Sequence, residues 1–149
     1  MKLDRLRWGS TMDGSTAHLY SLENDDGLRV TVSDYGGTVT SVLAPDRDGE
    51  LGEVVLGFDT IQQYLESEAY MGCLVGRYAN RIAGARFNID GVEYTVTRNH
   101  GAHHLHGGAR SFDKVMWDAE TAVNPGSARL SLGYRSADGE EGYPGNLDA

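Results

Sequence analysis

Redox chemistry has little to work with in this sequence: Cys73 is its only cysteine. No disulfide can form within the chain, so a reducing compartment is expected. Proline is also scarce, at 3 residues, which excludes a Pro-rich low-complexity linker. Long apolar runs are missing too, since stretches such as Cys73-Leu74-Val75 are far too short to span a bilayer. The opening residues, Met1-Lys2-Leu3-Asp4-Arg5-Leu6-Arg7, are charged and lack the apolar core of a signal peptide. A cytoplasmic protein is expected. Positive charge is in deficit, with 13 Lys and Arg against 22 Asp and Glu and a net charge of −9. That balance repels phosphate backbones and anionic lipid, so neither nucleic acid nor a membrane is an expected partner. A neutral small molecule suits it better.

What the sequence has in excess is glycine, 20 residues of 149, against a usual share of about 7%. The glycines are scattered among short apolar runs. They mark many turns, and many turns favour an all-β architecture. With 40% hydrophobic residues the chain suits one folded domain.

Strands are expected at Ala17 to Leu22, along the alternating Leu28, Val30 and Val32, and from Thr38 to Leu43. Asn24-Asp25-Asp26-Gly27 and Asp46-Arg47-Asp48-Gly49 supply turns. Val54-Val55-Leu56 and Val115-Met116-Trp117 read as short buried strands, and Leu130, Leu132 and Tyr134 alternate again. One short helix is expected near Thr60 to Ser67, because Ile61, Tyr64 and Leu65 share a face behind an Asp59 or Thr60 N-cap. Asp90-Gly91 calls for a type I′ hairpin pairing Ile89 with Val92, Phe87 with Tyr94 and Ala85 with Val96, one face apolar. Asp138 to Gly145 reads as a loop, leaving only Asn146 to Ala149. Either another strand belongs after it, or the end is a disordered tail.

Two clusters carry polar chemistry. Asn99-His100-Gly101-Ala102-His103-His104-Leu105-His106-Gly107-Gly108 holds four of the five histidines. Such a cluster is either a solvated loop or a site, since imidazole donates, accepts and ligates near neutral pH. His104 and His106 would share a face on a strand, as a metal chelate requires. A jelly-roll metal site needs a carboxylate soon afterwards, and the first acid, Asp113, lies beyond Arg110, so that spacing is poor. The second cluster is Gly76-Arg77-Tyr78-Ala79-Asn80-Arg81-Ile82-Ala83-Gly84. Arginine and asparagine match sugar hydroxyls and a developing oxyanion. Arg77 reads more readily as half of a structural ion pair. No dinucleotide fingerprint occurs.

Together these segments resemble the aldose 1-epimerase family. Gly76-Arg77-Tyr78-Ala79-Asn80-Arg81-Ile82 resembles its Gly-Arg-x-x-Asn-Arg-Ile signature. The likeness continues through Phe87, Asp90-Gly91, Tyr94, Asn99, Leu105-His106-Gly107-Gly108, Phe112-Asp113-Lys114 and Trp117 to Gly142-Tyr143-Pro144-Gly145. It reaches back through Asn24, Gly27, Tyr35-Gly36-Gly37, Pro45-Asp46-Arg47, Val55-Leu56-Gly57-Phe58 and Tyr64.

The resemblance implies an antiparallel β-sandwich, the galactose mutarotase-like supersandwich, with residues 1–149 as its N-terminal part. It implies a monosaccharide substrate and interconversion of α and β anomers by acid/base-assisted ring opening. No metal or organic cofactor is implied. Asn80, Arg81 and His106 are then substrate-binding, with Arg81 and His106 as supporting donors in catalysis. The three are expected to face one concave pocket. The general acid and base are expected beyond Ala149, and Glu93, Glu140 and Glu141 are expected to be exposed and to take neither role. The alternative is a non-catalytic sugar-binding module using the same three residues.

Overall fold

The computed structural model describes residues 1–149. Side-chain turns lay out its first sheet. Strands β1 (Lys2–Ser10), β2 (Thr16–Glu23), β3 (Arg29–Ser33), β4 (Val39–Pro45) and β5 (Leu51–Glu53) form an antiparallel meander in that order. Between β2 and β3, Oδ1 of Asn24 accepts from the amides of Asp26 and Leu28 at 3.0 and 2.9 Å. Between β4 and β5, Asp46 does the same for Asp48 and Glu50 at 2.8 and 3.0 Å. These are Asx turns, in which the side chain replaces a backbone acceptor.

The Val54-Val55-Leu56 expectation is overturned. Pairing stops at Glu53, whose Oε1 accepts from the amides of Val42, Val54 and Val55. One further backbone bond forms, from the Val54 amide to the Val42 carbonyl at 3.0 Å, while the carboxylate takes the Val42 amide in place of a backbone acceptor. Val54 and Leu56 turn outward, 63% and 80% exposed.

The expected helix is α1 (Ile61–Glu66), closed at its start by a Thr60–Gln63 capping box. It buries Ile61 and Tyr64, Ile61 in a cluster with Ala17 and Tyr35. Next come β6 (Arg81–Ile82), β7 (Arg86–Ile89), β8 (Val92–Thr95) and β9 (His104–Leu105). The β7–β8 hairpin has the expected register, and Asp90 and Gly91 take φ of 52° and 81°. Its apolar face is covered only near the base. Ala85 and Val96 are buried beside Tyr143, while Ile89 and Val92 at the tip are half exposed.

Val115 and Trp117 are buried as expected, but the segment is no strand. It touches its neighbour through a single bridge, Tyr35 to Met116. Gly36 and Gly37, at φ of 66° and 55°, carry the partner backbone away and end the ladder. Strands β10 (Asp118–Asn124) and β11 (Ser127–Gly133) follow as a hairpin, and β11 packs against β2 of the first sheet. The C-terminal residues are neither a loose tail nor unpaired. Strand β12 (Arg135–Ser136) pairs with β13 (Leu147–Asp148), and Tyr134 and Ala149 exchange backbone bonds of 2.9 and 3.0 Å. Every strand pairing is antiparallel. No helix is long and apolar enough to cross a membrane, a statement that does not extend to strands.

One buried polar contact joins the histidine loop to the C-terminal loop. His104 is fully buried, with Nδ1 2.6 Å from the Thr97 carbonyl and Nε2 2.6 Å from the Tyr143 hydroxyl. The carbonyl can only accept, so Nδ1 carries the proton and Tyr143 donates to Nε2. Tyr143→Phe leaves Nε2 without a partner and is expected to destabilise the chain by about 1–3 kcal/mol in urea unfolding. Burial, above all, pushes the phenols of Tyr134 and Tyr143 up from 10.0 to about 12. Once unfolded, both ionise at the lower value. Their contribution to stability is therefore complete below pH 10.0 and is lost as pH rises through about 12. The urea midpoint should fall across that window.

Candidate functional site

Strands β6 and β9 pair Arg81 with Leu105 and Ile82 with His104. Just past the ends of that pairing, Asn80 and His106 both turn left-handed, at φ of 64° and 51°. They grip each other twice. The His106 amide donates to the Asn80 carbonyl at 2.9 Å, and the Asn80 amide donates to His106 Nδ1 at 2.9 Å. Arg81 Nη1 donates to Asn80 Oδ1 at 2.8 Å. The three sequence-expected residues therefore meet at one point on the surface.

Their free groups are donors. Nδ1 of His106 accepts, which leaves Nε2 as the N–H nitrogen, and Nε2 has no bonding partner within the chain. Arg81 has no carboxylate in salt-bridge range. A groove of about 570 Å³ opens beside Arg81, walled by Tyr78, Ile82, Phe87 and Tyr143. Neither Asn80 nor His106 lines it.

Tyr70 belongs to the cluster and was missed in the sequence. Its ring meets the His106 imidazole edge-on, with centroids 4.6 Å apart and planes at 61°. Burial, with help from nearby acids, raises its phenol above the ordinary value. It lies ten residues before Asn80 in an irregular segment, where no periodicity or turn signal marks it. Only a loop-to-loop contact reveals it.

The histidine loop divides by role. His104 and His106 do not share a face, because β9 ends at Leu105 and the left-handed turn at His106 redirects its ring. His104 has both nitrogens engaged in the interior. The chelate read from His104-Leu105-His106 therefore fails, since no lone pair on His104 is free. His103 Nδ1 accepts from the Gly84 amide at 3.0 Å. Asn99 braces the loop by donating to the carbonyls of Leu105 and Gly108 and accepting from the Leu105 amide. Gly107 is required where it stands, for a Cβ there would lie 1.7 Å from the Gly76 carbonyl oxygen.

Arg77 is structural, as expected, but its partners are not ionic. Nε donates to Ser136 Oγ, Nη1 to the carbonyls of Pro144 and Gly145, and Nη2 to those of Ser136 and Ala137, at 2.7–3.1 Å. The side chain also lies over the Tyr143 ring, 5.7 Å from its centroid. The C-terminal loop is thus sewn to the segment that carries Asn80 and Arg81.

Two of the glutamates expected to be exposed are half-buried and engaged. Glu140 accepts from the hydroxyls of Tyr134 and Ser136, and Glu141 from the amides of Ala109 and Arg110. Glu93 is exposed as expected, on β8 opposite Asn88, with its carboxylate 4.0 Å from the Arg86 guanidinium on the diagonal. Cys73 is no nucleophile near neutral pH, because burial and then Asp113 push its thiol up to about 11.

An antiparallel β framework thus carries an Arg–Asn–His cluster whose free groups are neutral and cationic donors. Residues 18–149 match the family described as Aldose 1-epimerase, and the chain belongs to that family. It is similar to galactose mutarotase of Bos taurus, 42% identical over 136 residues, covering 91% of this chain and 38% of that protein. It is similar also to aldose 1-epimerase of Escherichia coli (strain K12), 39% identical over 137 residues, covering 92% of this chain and 39% of that protein. Among solved structures, galactose 1-epimerase from Lactobacillus acidophilus NCFM superposes with a TM-score of 0.86 at 30% identity, over 99% of this chain and 42% of that one. The GalM/aldose epimerase homologue from C. elegans gives 0.80 at 34% identity, over 89% and 40%. The chain spans about two fifths of the length of these relatives.

Arg77→Lys keeps the charge but not the fork. It is expected to lower stability by about 1–3 kcal/mol, since the part-buried carbonyls of Ser136 and Pro144 and the buried Ser136 hydroxyl lose their donor. Arg81→Lys, at an exposed position, should change stability by no more than about 0.5 kcal/mol. Urea unfolding followed by tryptophan fluorescence separates the two.

Proposed function

We propose that this chain supplies the sugar-orienting donors of an aldose 1-epimerase acting on an aldohexose such as galactose. Anomer exchange needs the ring opened. A base takes the proton of the anomeric hydroxyl while an acid protonates the ring oxygen. The C1–C2 bond rotates, and the hydroxyl adds back to the other face of the carbonyl, with both protons returned. Negative charge grows on the ring oxygen as its bond to C1 breaks. A fixed guanidinium and a neutral imidazole N–H stabilise that charge if they are already aimed at it. Arg81 and His106 fit these roles. Acid–base chemistry of this kind requires no metal or organic cofactor.

The observation that carries the reading is the convergence on Asn80 of two side chains that each keep free N–H groups, Arg81 and His106. The acid and base are assigned to polypeptide outside these 149 residues. Glu140 and Glu141 are bonded elsewhere, and the matched relatives are more than twice as long. On this reading residues 1–149 are the N-terminal part of one catalytic domain, in a cytoplasmic enzyme. For the 149 residues by themselves, donors without a free carboxylate beside them favour the second reading, sugar binding without turnover.

Polarimetry of α-D-galactose tests both. The chain alone should leave the spontaneous rate unchanged. The same residues, replacing the matching segment of the Escherichia coli relative, should accelerate it. Arg81→Ala or His106→Ala in that chimera should then lower kcat by about 10²-fold or more. A chimera indifferent to both substitutions rejects the assigned roles, and acceleration by the chain alone rejects the placement of the acid and base.

A further inference from the structure

Three of the four polar groups of Asn80 are already engaged inside the protein. Its amide donates to His106 Nδ1, its carbonyl accepts from the His106 amide, and Oδ1 accepts from Arg81. Only Nδ2 is left to meet a ligand. Asn80 is thus poorly placed to hold hydroxyls and well placed to hold its neighbours.

We infer that Asn80 and Tyr70 are positioning residues that act on the sugar through His106. The Asn80 backbone amide holds the imidazole as the Nε2–H tautomer, and the Tyr70 ring fixes the plane in which that N–H is presented. The consequence for sugar rests on the function proposed above; the tautomer does not.

A neutral imidazole carries its proton on either nitrogen. A backbone amide can only donate, so the nitrogen 2.9 Å from it must be the bare one. The other tautomer would set two N–H groups against each other, and one ordinary hydrogen bond biases the ratio by about tenfold. The geometry needs left-handed backbone at both ends. Asparagine and histidine are among the residues that accept it most readily, and departures of this kind gather at functional positions. Asparagine has a further use that glycine lacks, since its Oδ1 also holds the Arg81 guanidinium. One residue therefore orients both donors, His106 through the backbone and Arg81 through the side chain. Tyr70 closes the remaining freedom. Its ring stands edge-on to the imidazole, and its carbonyl accepts from the Cys73 thiol at 3.4 Å.

NMR of the ¹⁵N-labelled chain tests this without sugar. The free protein should show an N–N coupling across the hydrogen bond from the Asn80 amide to His106 Nδ1, with the imidazole proton on Nε2. Asn80→Gly should keep both signals, because the amide remains and glycine accepts the same φ. D-galactose titration then reads the consequence. Tyr70→Ala should weaken binding by about tenfold, and Tyr70→Phe, which keeps the ring edge, should restore it. A proton on Nδ1 in the wild-type chain overturns the proposal, as does loss of the coupling in Asn80→Gly. Equal binding by Tyr70→Phe and Tyr70→Ala, at either level, overturns the role of the Tyr70 ring. Coupling present with no galactose bound by the wild type supports the tautomer and overturns the action on sugar.

Discussion

The candidate site depends on one guanidinium. Arg77 directs its five N–H bonds at Ser136, Ala137, Pro144 and Gly145, and nowhere else does so much of the chain converge on a single side chain. Its own backbone lies in the segment that leads to Asn80 and Arg81. Tyr143 sits under the guanidinium and reaches His104, and His104 lies in β9, two residues before His106. The two halves of the site are therefore tied to the same loop, one through charge-assisted bonds and the other through a buried phenol. The core offers no substitute. It is divided among small clusters around Ile61, Val96 and Trp117, each with only three buried members. Where apolar burial is so dispersed, polar contacts between segments decide how those segments sit.

The polar groups sort into two populations. Those of Arg77, Asn99, His104, Glu140 and Glu141 are consumed within the protein. The remaining N–H groups of Arg81, beyond the one given to Asn80, and the outer nitrogen of His106 are not. A side chain with its valences filled can hold a shape but cannot bind, so an inventory of residue types does not separate the two. The two histidines of His104-Leu105-His106 make the contrast plain. Two positions apart, one is a buried strut and the other an available donor, and the difference is a single left-handed residue at the end of a strand.

How far the sequence could be read follows from the range of the interactions. The capping box at Thr60 and the reversal at Asp90-Gly91 are local, and both lay in plain view. The Val54 to Leu56 segment misled because a run of apolar residues says nothing of the Glu53 carboxylate that takes the Val42 and Val55 amides beside it. Arg77 was legible as structural from its setting. Its partners lie about sixty residues away and are mostly backbone, so no residue type could announce them. The family signature located Asn80, Arg81 and His106. It left out Tyr70, and it carried no hint that the Asn80 backbone amide bonds to the His106 ring.

The reciprocal pair between Asn80 and His106 spans 26 positions, and the β7–β8 hairpin lies inside that span. Closing a two-residue turn takes far less chain entropy than joining the ends of such a loop. Hairpins form in microseconds, whereas pairings between distant segments wait on prior structure. The hairpin therefore sets early and shortens the gap that β6 and β9 must cross. The two donors come together only when that gap closes, so a partly folded chain carries the residues of the site without the site itself. Any ligand that needs both donors at once recognises the end of folding, and adds its stability to the last step alone.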